Sequence, residues 1–332
     1  MKKINIFLIY LFCLILLNSQ VRSEDFDLWL SNFKTMAIES GISESTVNKV
    51  MSNAIFLPKI IEYDRYQPEF YEDTKTYIKK RSSNKKVSNG IILYKKHSNI
   101  ITKVEKKYNV EKELLLALMG IETNFGKYLG KMDIISSLAT LSYDKRRSEF
   151  FTKELLIILK LIDDNVINPK ILYGSWAGAF GNFQFMPSTI KNYAVDYNNN
   201  KIIELKNPED SFASAANYLN RIGWKKNEHC FYKINLEENT PKNILNTSAK
   251  KIKHKKKFKD YKKFIKTPLN VKISDDTIVS IITPDIDIIP ENQTLNPAYL
   301  IFKNYEIILQ WNRSLRFALA VCTLKDKFEN EM

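Results

Sequence analysis

The sequence predicts a mainly helical α+β protein in which a small strand-rich part interrupts the helices late in the chain. Three observations predict it. Apolar residues recur at helical spacing from Phe26 to Gly223, short β-branched runs divided by turn residues follow Lys225, and helical patterning returns from Tyr305 to Lys325. The expected parts are a secretory leader over 1–23, a helical N-terminal part over 24–100 and a helical core over 101–227. A strand-rich part with a lysine-rich loop follows over 228–304, and 305–332 is a helix returning to the core. No internal repeat is evident.

The leader rests on Lys2-Lys3, the apolar stretch Ile4 to Leu17, and the small-x-small site Val21-Arg22-Ser23 before Glu24. That stretch has 14 residues, short of the roughly 20 that span a membrane, so export is expected over anchoring. Cys13 follows the bulky Tyr10, Leu11 and Phe12, which do not suit a lipidation site.

Phe26 to Ser40 reads as a helix, and Gly41-Ile42-Ser43-Glu44 opens a second with Ser43 as its cap. The polar run Arg81-Ser82-Ser83-Asn84-Lys85-Lys86 reads as a surface loop. Helices follow over Ile91 to Tyr108 and Val110 to Ile121, then around Ile134–Leu141 and Arg147–Ile162, with Asn168-Pro169 as a stop. In the segment Tyr173 to Ser188, Gly174, Gly178 and Gly181 imply close backbone approach or unusual dihedrals. Helices are expected from about Ser188 to Ala194 and over 209–222, the latter ending at Gly223. Val271–Ile273, Thr277–Ile282 and Asp285–Ile289 read as strands.

The formal charge is +14, of which Lys2, Lys3 and Arg22 supply three in the leader. Such a balance suits a polyanionic partner, and export excludes nucleic acid. Ten lysines fall within Lys250–Lys266, interleaved with Phe258, Tyr261 and Phe264. This run reads as a solvated loop, and its functional reading is a peripheral contact with an anionic wall or membrane surface. Beyond the leader, Cys230 and Cys322 are the cysteines. They are too few for a disulfide framework, and one bridge or two buried thiols are both open.

Glu122 closes the apolar run Leu114-Leu115-Leu116-Ala117-Leu118-Met119-Gly120-Ile121 and precedes Thr123-Asn124-Phe125-Gly126. A carboxyl among apolar neighbours is held neutral toward pH 7, which is what a general acid for glycosidic bonds requires. Taken alone, the same residue also reads as a helix-terminal carboxylate in water.

Three blocks in fixed order narrow the choice. They are Gly120-Ile121-Glu122-Thr123-Asn124-Phe125-Gly126, Leu138-Ala139-Thr140-Leu141-Ser142-Tyr143, and Ser175-Trp176-Ala177-Gly178 through Gln184-Phe185-Met186-Pro187-Ser188. With Asn217-Tyr218 and Trp311-Asn312, they resemble the membrane-bound lytic murein transglycosylase B family. The resemblance covers most of the chain and is weakest in the strand-rich part. It implies a lysozyme-like core and peptidoglycan as substrate; the leader gives a periplasmic location, and cell-wall synthesis proteins are candidate partners that the chain does not specify. It also implies cleavage between N-acetylmuramic acid and N-acetylglucosamine with formation of a 1,6-anhydro end, Glu122 acting as acid and then as base.

By the same resemblance Ser175 orients the acid or the acetamido group, and Gln184, Tyr218, Asn312 and Tyr77 line the saccharide cleft. Arg146 and Arg147 would hold stem-peptide carboxylates, for which the guanidinium fork is well shaped. Each also has a plainer reading, as loop-satisfying polar groups, core tyrosines or a solvated helix end. One departure stands out: Trp311 replaces a common tyrosine, so stacking is expected to survive and a phenolic hydrogen bond is not. No cofactor is required. Asp196, Asn198, Asn200 and the Ile202 carbonyl, with Asp210, have the spacing of a calcium loop. Lys201 stands in place of the turn glycine and Asn207 in place of a bidentate carboxylate, so weak calcium binding or a plain surface loop is expected.

Two other functional classes fit part of this pattern. A non-catalytic peptidoglycan-binding scaffold has no need of a neutralised acid. A hydrolysing muramidase needs a second carboxylate about 5–9.5 Å away, for which Asp133 and Asp144 are candidates.

Overall fold

Local capping chemistry sets the helix starts in the computed structural model, which describes residues 25–66, 72–266, 269, 271–286 and 295–332. The expected leader lies outside these residues. Helix α1 covers 25–39, the chain reverses at Gly41 (φ +84°), and α2 (Glu44–Met51) starts under Ser43, whose hydroxyl accepts from Thr46 N at 3.3 Å. Asp73 caps α4 (Thr74–Arg81) in the same way, after α3 (Pro58–Arg65). Helix α5 is longer than expected, running Asn84–Tyr108. The polar loop expected over 81–86 shrinks to Ser82-Ser83, because Ser83 is extended at the N-cap and Asn84, Lys85 and Lys86 form the first turn.

Helix α6 (Lys112–Thr123) buries Leu114 through Gly120 without a break and leaves Glu122 half-buried at its end. Asn124 in the left-handed conformation stops it. The two-residue strands β1 (Met132–Asp133) and β2 (Tyr173–Gly174) pair antiparallel and draw the glycine-rich segment beside the loop that follows α6. Gly130, at φ +83°, allows this approach: a β-carbon there would lie 2.0 Å from the Gly174 carbonyl oxygen. Helices α7 (Ile134–Tyr143), α8 (Ser148–Asp163), α9 (Pro187–Tyr193) and α10 (Pro208–Arg221) complete the helical body close to their expected bounds.

The strand-rich part is a four-stranded antiparallel sheet in the order β3-β6-β5-β4: β3 Phe231–Ile234, β4 Lys256–Lys257, β5 Ile278–Ile282 and β6 Ala298–Ile301. Only the middle expected strand is found. Val271–Ile273 is not a strand, Asp285 and Ile286 lie in a turn, and 287–289 fall outside the described residues. The lysine run is not a solvated loop either. It supplies β4, the short helix α11 (Phe258–Tyr261) and a 3-10 turn over Lys262–Phe264, because Tyr261 is fully buried and ties its hydroxyl to His254 O at 2.9 Å.

One core runs from Phe26 to Phe328 and joins the N-terminal helices to residues 101–227, so these two expected parts share a single interior. The sheet adds a small core of its own around Leu236, Leu245, Tyr261, Ile281 and Leu300. The C-terminal stretch is two helices, α12 (Lys303–Trp311) and α13 (Leu315–Glu331), broken at Asn312 to Ser314. Cys230, just before β3, and Cys322 in α13 form a disulfide closing a 92-residue separation, worth about 4.6 kcal/mol as loop-closure entropy. A second link is buried: Asp285 accepts from Thr74 N at 3.1 Å and from Arg316 Nη2 at 2.8 Å. Among the described residues no helix is long and apolar enough to cross a membrane.

Candidate active site

The break between α12 and α13 delivers the residue that decides the site. Trp311 donates its indole N–H to Glu122 Oε1 at 3.0 Å, across 189 positions of sequence. The departure from tyrosine therefore does not cost the site a hydrogen bond; an indole N–H supplies one. An indole can only donate, so Oε1 is the accepting oxygen in either protonation state of the acid.

Glu122 is held from both sides. Thr123 donates to Asn182 O at 2.8 Å and accepts from Gly126 N at 3.0 Å, locking the end of α6 onto the glycine-rich segment. Asn182 in turn donates to Lys206 O and Ser211 Oγ. On the open side a cavity of about 460 Å³ is lined by Glu122, Ile121, Tyr128 and three lysines, Lys80, Lys85 and Lys86. Lys86 donates to the Gly120 carbonyl at 2.6 Å, a cation on a helix C-terminus. Burial, with a smaller push from the Arg81 charge, lowers its pKa.

Ser175 and Gln184 shape the wall. The Ser175 hydroxyl accepts from Ala179 N at 3.0 Å and keeps its own proton to donate. Gln184, at φ +50°, donates to Leu129 O and Gly181 O, which leaves its amide oxygen as the group it can offer. Tyr218 stands between Trp311 (5.1 Å, 27°) and Tyr193 (4.4 Å, 29°) and gives its hydroxyl to Gln310 O. Both its faces are covered, and burial beside Tyr193 raises its pKa to about 12. Asn312 is half-buried at the helix break, next to Trp311. Tyr77 is buried at 4 % exposure with the Arg81 guanidinium 3.5 Å above its ring.

Arg146 and Arg147 already hold a carboxylate, and it is this chain's own. Asp64, 1 % exposed, accepts from Arg146 at 3.0 Å and also binds Arg147 Nη2. The fork shape read from the sequence is used to fasten α3 to the α7–α8 junction. Asp133 caps α7 through Ser136 N at 2.7 Å, and Asp144 pairs with Arg65 at 3.0 Å, so both candidate second carboxylates have structural partners. In the 196–210 loop, Asp196, Asn198 and Asn200 accept from the backbone of Asn200 to Ile202, and the buried Asp210 accepts from Tyr197 N and Glu204 N.

Comparison with known proteins follows the same line. The family described as Transglycosylase SLT domain matches residues 25–326. The chain belongs to this family. Among curated SLT-family relatives, the membrane-bound lytic murein transglycosylase B of Escherichia coli strain K12 is 38% identical over 153 residues, 46% of this chain. The match spans 42% of that protein's length. The crystal structure of SltB3 from Pseudomonas aeruginosa in complex with NAG-NAM-pentapeptide superposes with a TM-score of 0.80, at 29% identity over 92% of this chain and 79% of that one. The Escherichia coli lytic transglycosylase SLT35 in complex with bulgecin A gives a TM-score of 0.74, at 27% identity over 91% of this chain and 93% of that one. The SLT-family chain described here shares their mainly helical, lysozyme-like fold.

Sequence reasoning missed Trp311 as the partner of Glu122. The signal was present, since a donor-only ring beside Asn312 marked the position, but its reach to α6 depends on a break in the C-terminal helices. The Asp64 clamp had no local signal, because its arginines lie 82 and 83 positions away.

Proposed function

We propose that this chain is a peptidoglycan lytic transglycosylase, active in the periplasm, that cleaves the bond between N-acetylmuramic acid and N-acetylglucosamine and leaves 1,6-anhydromuramyl ends. The observation that carries the reading is the indole-held carboxyl of Glu122 at the rim of a cavity, on a buried apolar helix. With Oε1 accepting from Trp311, the acidic proton resides on Oε2. Glu122 gives that proton to the departing glycosidic oxygen, and its carboxylate then takes the proton of the muramyl 6-hydroxyl as that oxygen closes on the anomeric carbon. Charge returns to its starting value and no water is consumed.

A relative crystallised with NAG-anhNAM-pentapeptide supports the anhydro product and the substrate class. The structural partners of Asp133 and Asp144 weigh against a two-carboxylate hydrolase. Ser175, Gln184 and Asn312 would position the saccharide through the groups left to them.

The same reading includes a weak calcium site at Asp196, Asn198, Asn200 and Asp210. Oxygen donors suit that ion, and SLT35 has been crystallised with calcium. Burial raises the pKa of Asp210 against hydrogen bonds from Glu204 and Tyr197, with the Asp196 charge adding to the rise. A calcium-dependent rise in thermal midpoint, lost in Asp196→Ala, checks it.

Glu122→Gln tests the main proposal. Turnover of purified peptidoglycan should fall by roughly 10²–10⁴-fold with the circular-dichroism spectrum unchanged. A variant of full activity refutes the assignment.

A further inference from the structure

Helix α6 ends at Glu122 and Thr123 with no basic residue in its last turn, while α5 begins with Lys85 and Lys86 and has no acid in its first. Both arrangements oppose the helix dipole, which favours cations at a C-terminus and carboxylates at an N-terminus. Turning Lys86 across to α6 relieves both. Its ammonium donates to the Gly120 carbonyl at 2.6 Å and to Asn124 Oδ1 at 3.4 Å, two positions before and two after Glu122.

Close packing makes this reach possible. A β-carbon at Gly90, one turn beyond Lys86, would lie 3.0 Å from the Phe125 ring, and one at Gly120 would lie 2.8 Å from it. With no side chain at either point, α5 presses onto the end of α6 and Lys86 is half-buried. Burial and the Arg81 charge lower its pKa, so the ammonium is kept there against its own desolvation.

The other charges around the cavity are engaged elsewhere or lie in solvent. Lys80 and Arg81 at the end of α4 bind Glu72, and Lys85 is exposed. Lys327 of α13 donates to Ser82 O and Asn84 Oδ1. Tyr128, 72 % exposed, is the remaining titratable group of the lining. Of the three cavity lysines, Lys86 is the one built into the helix end that carries the acid.

A carboxyl that gives a proton and then takes one works best when neither protonation state is strongly favoured at the operating pH. The buried apolar run of α6 and its carbonyl end both favour the neutral form of Glu122. A cation at that end opposes them. We propose that Lys86 is a positioning residue of the reaction: its ammonium closes the carbonyl end of α6 and sustains the Glu122 carboxylate between the proton it gives and the proton it takes. The inference rests on the transglycosylase reading above and leaves the atom and charge balance of that step unchanged.

Three variants of the full chain separate charge from hydrogen bonding. Lys86→Arg keeps both, Lys86→Gln keeps a donor without the charge, and Lys86→Met keeps neither. Two readouts are used: the alkaline limb of kcat/KM on purified peptidoglycan, and the titration of the Glu122 carboxyl carbon followed by NMR without substrate. A nearby cation lowers a carboxyl's pKa, so losing it moves both midpoints to higher pH. The expected rise is about one pH unit in the Gln and Met variants, with kcat down roughly threefold and KM little changed. Lys86→Arg should stay at the native midpoint. Midpoints unmoved in both neutral variants, moved in Met alone, or moved in Arg as far as in Gln overturn the role of the charge. The NMR titration decides this even where a variant turns over too slowly to assay. If the native chain cleaves peptidoglycan and the midpoints do not move, only this inference fails; a native chain that leaves peptidoglycan intact refutes the transglycosylase reading itself.

Discussion

The cleft wall at Glu122 and the four-stranded sheet are held by opposite means. Around Glu122 the polar groups lie within short reach of one continuous apolar core: Thr123, Asn182 and Ser211 form a relay beneath the acid, and each is buried and bonded. The sheet has a small core of its own, sends Ile282, Tyr299 and Ile301 into the main one, and is further fastened at the Cys230–Cys322 bridge and the Asp285 node. A site resting on a large core tolerates loss of a polar contact by losing rate. A small appended sheet tolerates the same loss by losing attachment.

The largest expected effect strikes the second kind of link. Asp285→Ala leaves Arg316 buried with no partner for its charge and removes the acceptor of Thr74, costing about 3–5 kcal/mol. Chemical denaturation should report this loss, ahead of any change in the α6 region seen by hydrogen exchange. A loss spread evenly over both regions breaks the contrast.

Trp311→Phe strikes the first kind. The ring stack with Tyr218 persists while the donor to Glu122 is gone. Turnover should drop roughly tenfold, from about 1.4 kcal/mol of lost orientation, with KM and the unfolding midpoint little changed. A fall in stability instead of rate would make the indole a packing residue.

The smallest effect appears only in acid. Hydroxyls of Ser43 and Thr46 hold the Asp163 carboxyl at about 2 against an ordinary 3.8. A pKa depressed on folding means stability that is fully present above the unfolded value and lost as pH falls through the folded one. Asp163→Asn should therefore lower stability at neutral pH and flatten its acid dependence between about pH 4 and 2. An unaltered slope there removes Asp163 from the α2–α8 junction.

The two regions also differed in how far sequence could reach them. The helix of Glu122 and the close approach at Gly174 were legible because periodicity and glycine act locally. The strands β3 and β6 were not. Ala298–Ile301 is buried on every residue and shows no alternation, and Phe231–Ile234 is too short to stand out. The lysine run misled because ten charges outweigh the few anchors, Ile252 and Tyr261, that fold it. Nothing near Arg146 and Arg147 in sequence announces Asp64, so residue type points to a carboxylate there without saying that the chain supplies one itself. Where a partner is distant along the chain, residue type alone gives the chemistry of a contact and not its owner.

A single carboxyl that serves first as acid and then as base, without water, is tested most directly by the oxygen in its products. Peptidoglycan digested by the native protein in water enriched in heavy oxygen should give muropeptides with anhydromuramyl ends and no label. Reducing ends carrying heavy oxygen would contradict the account.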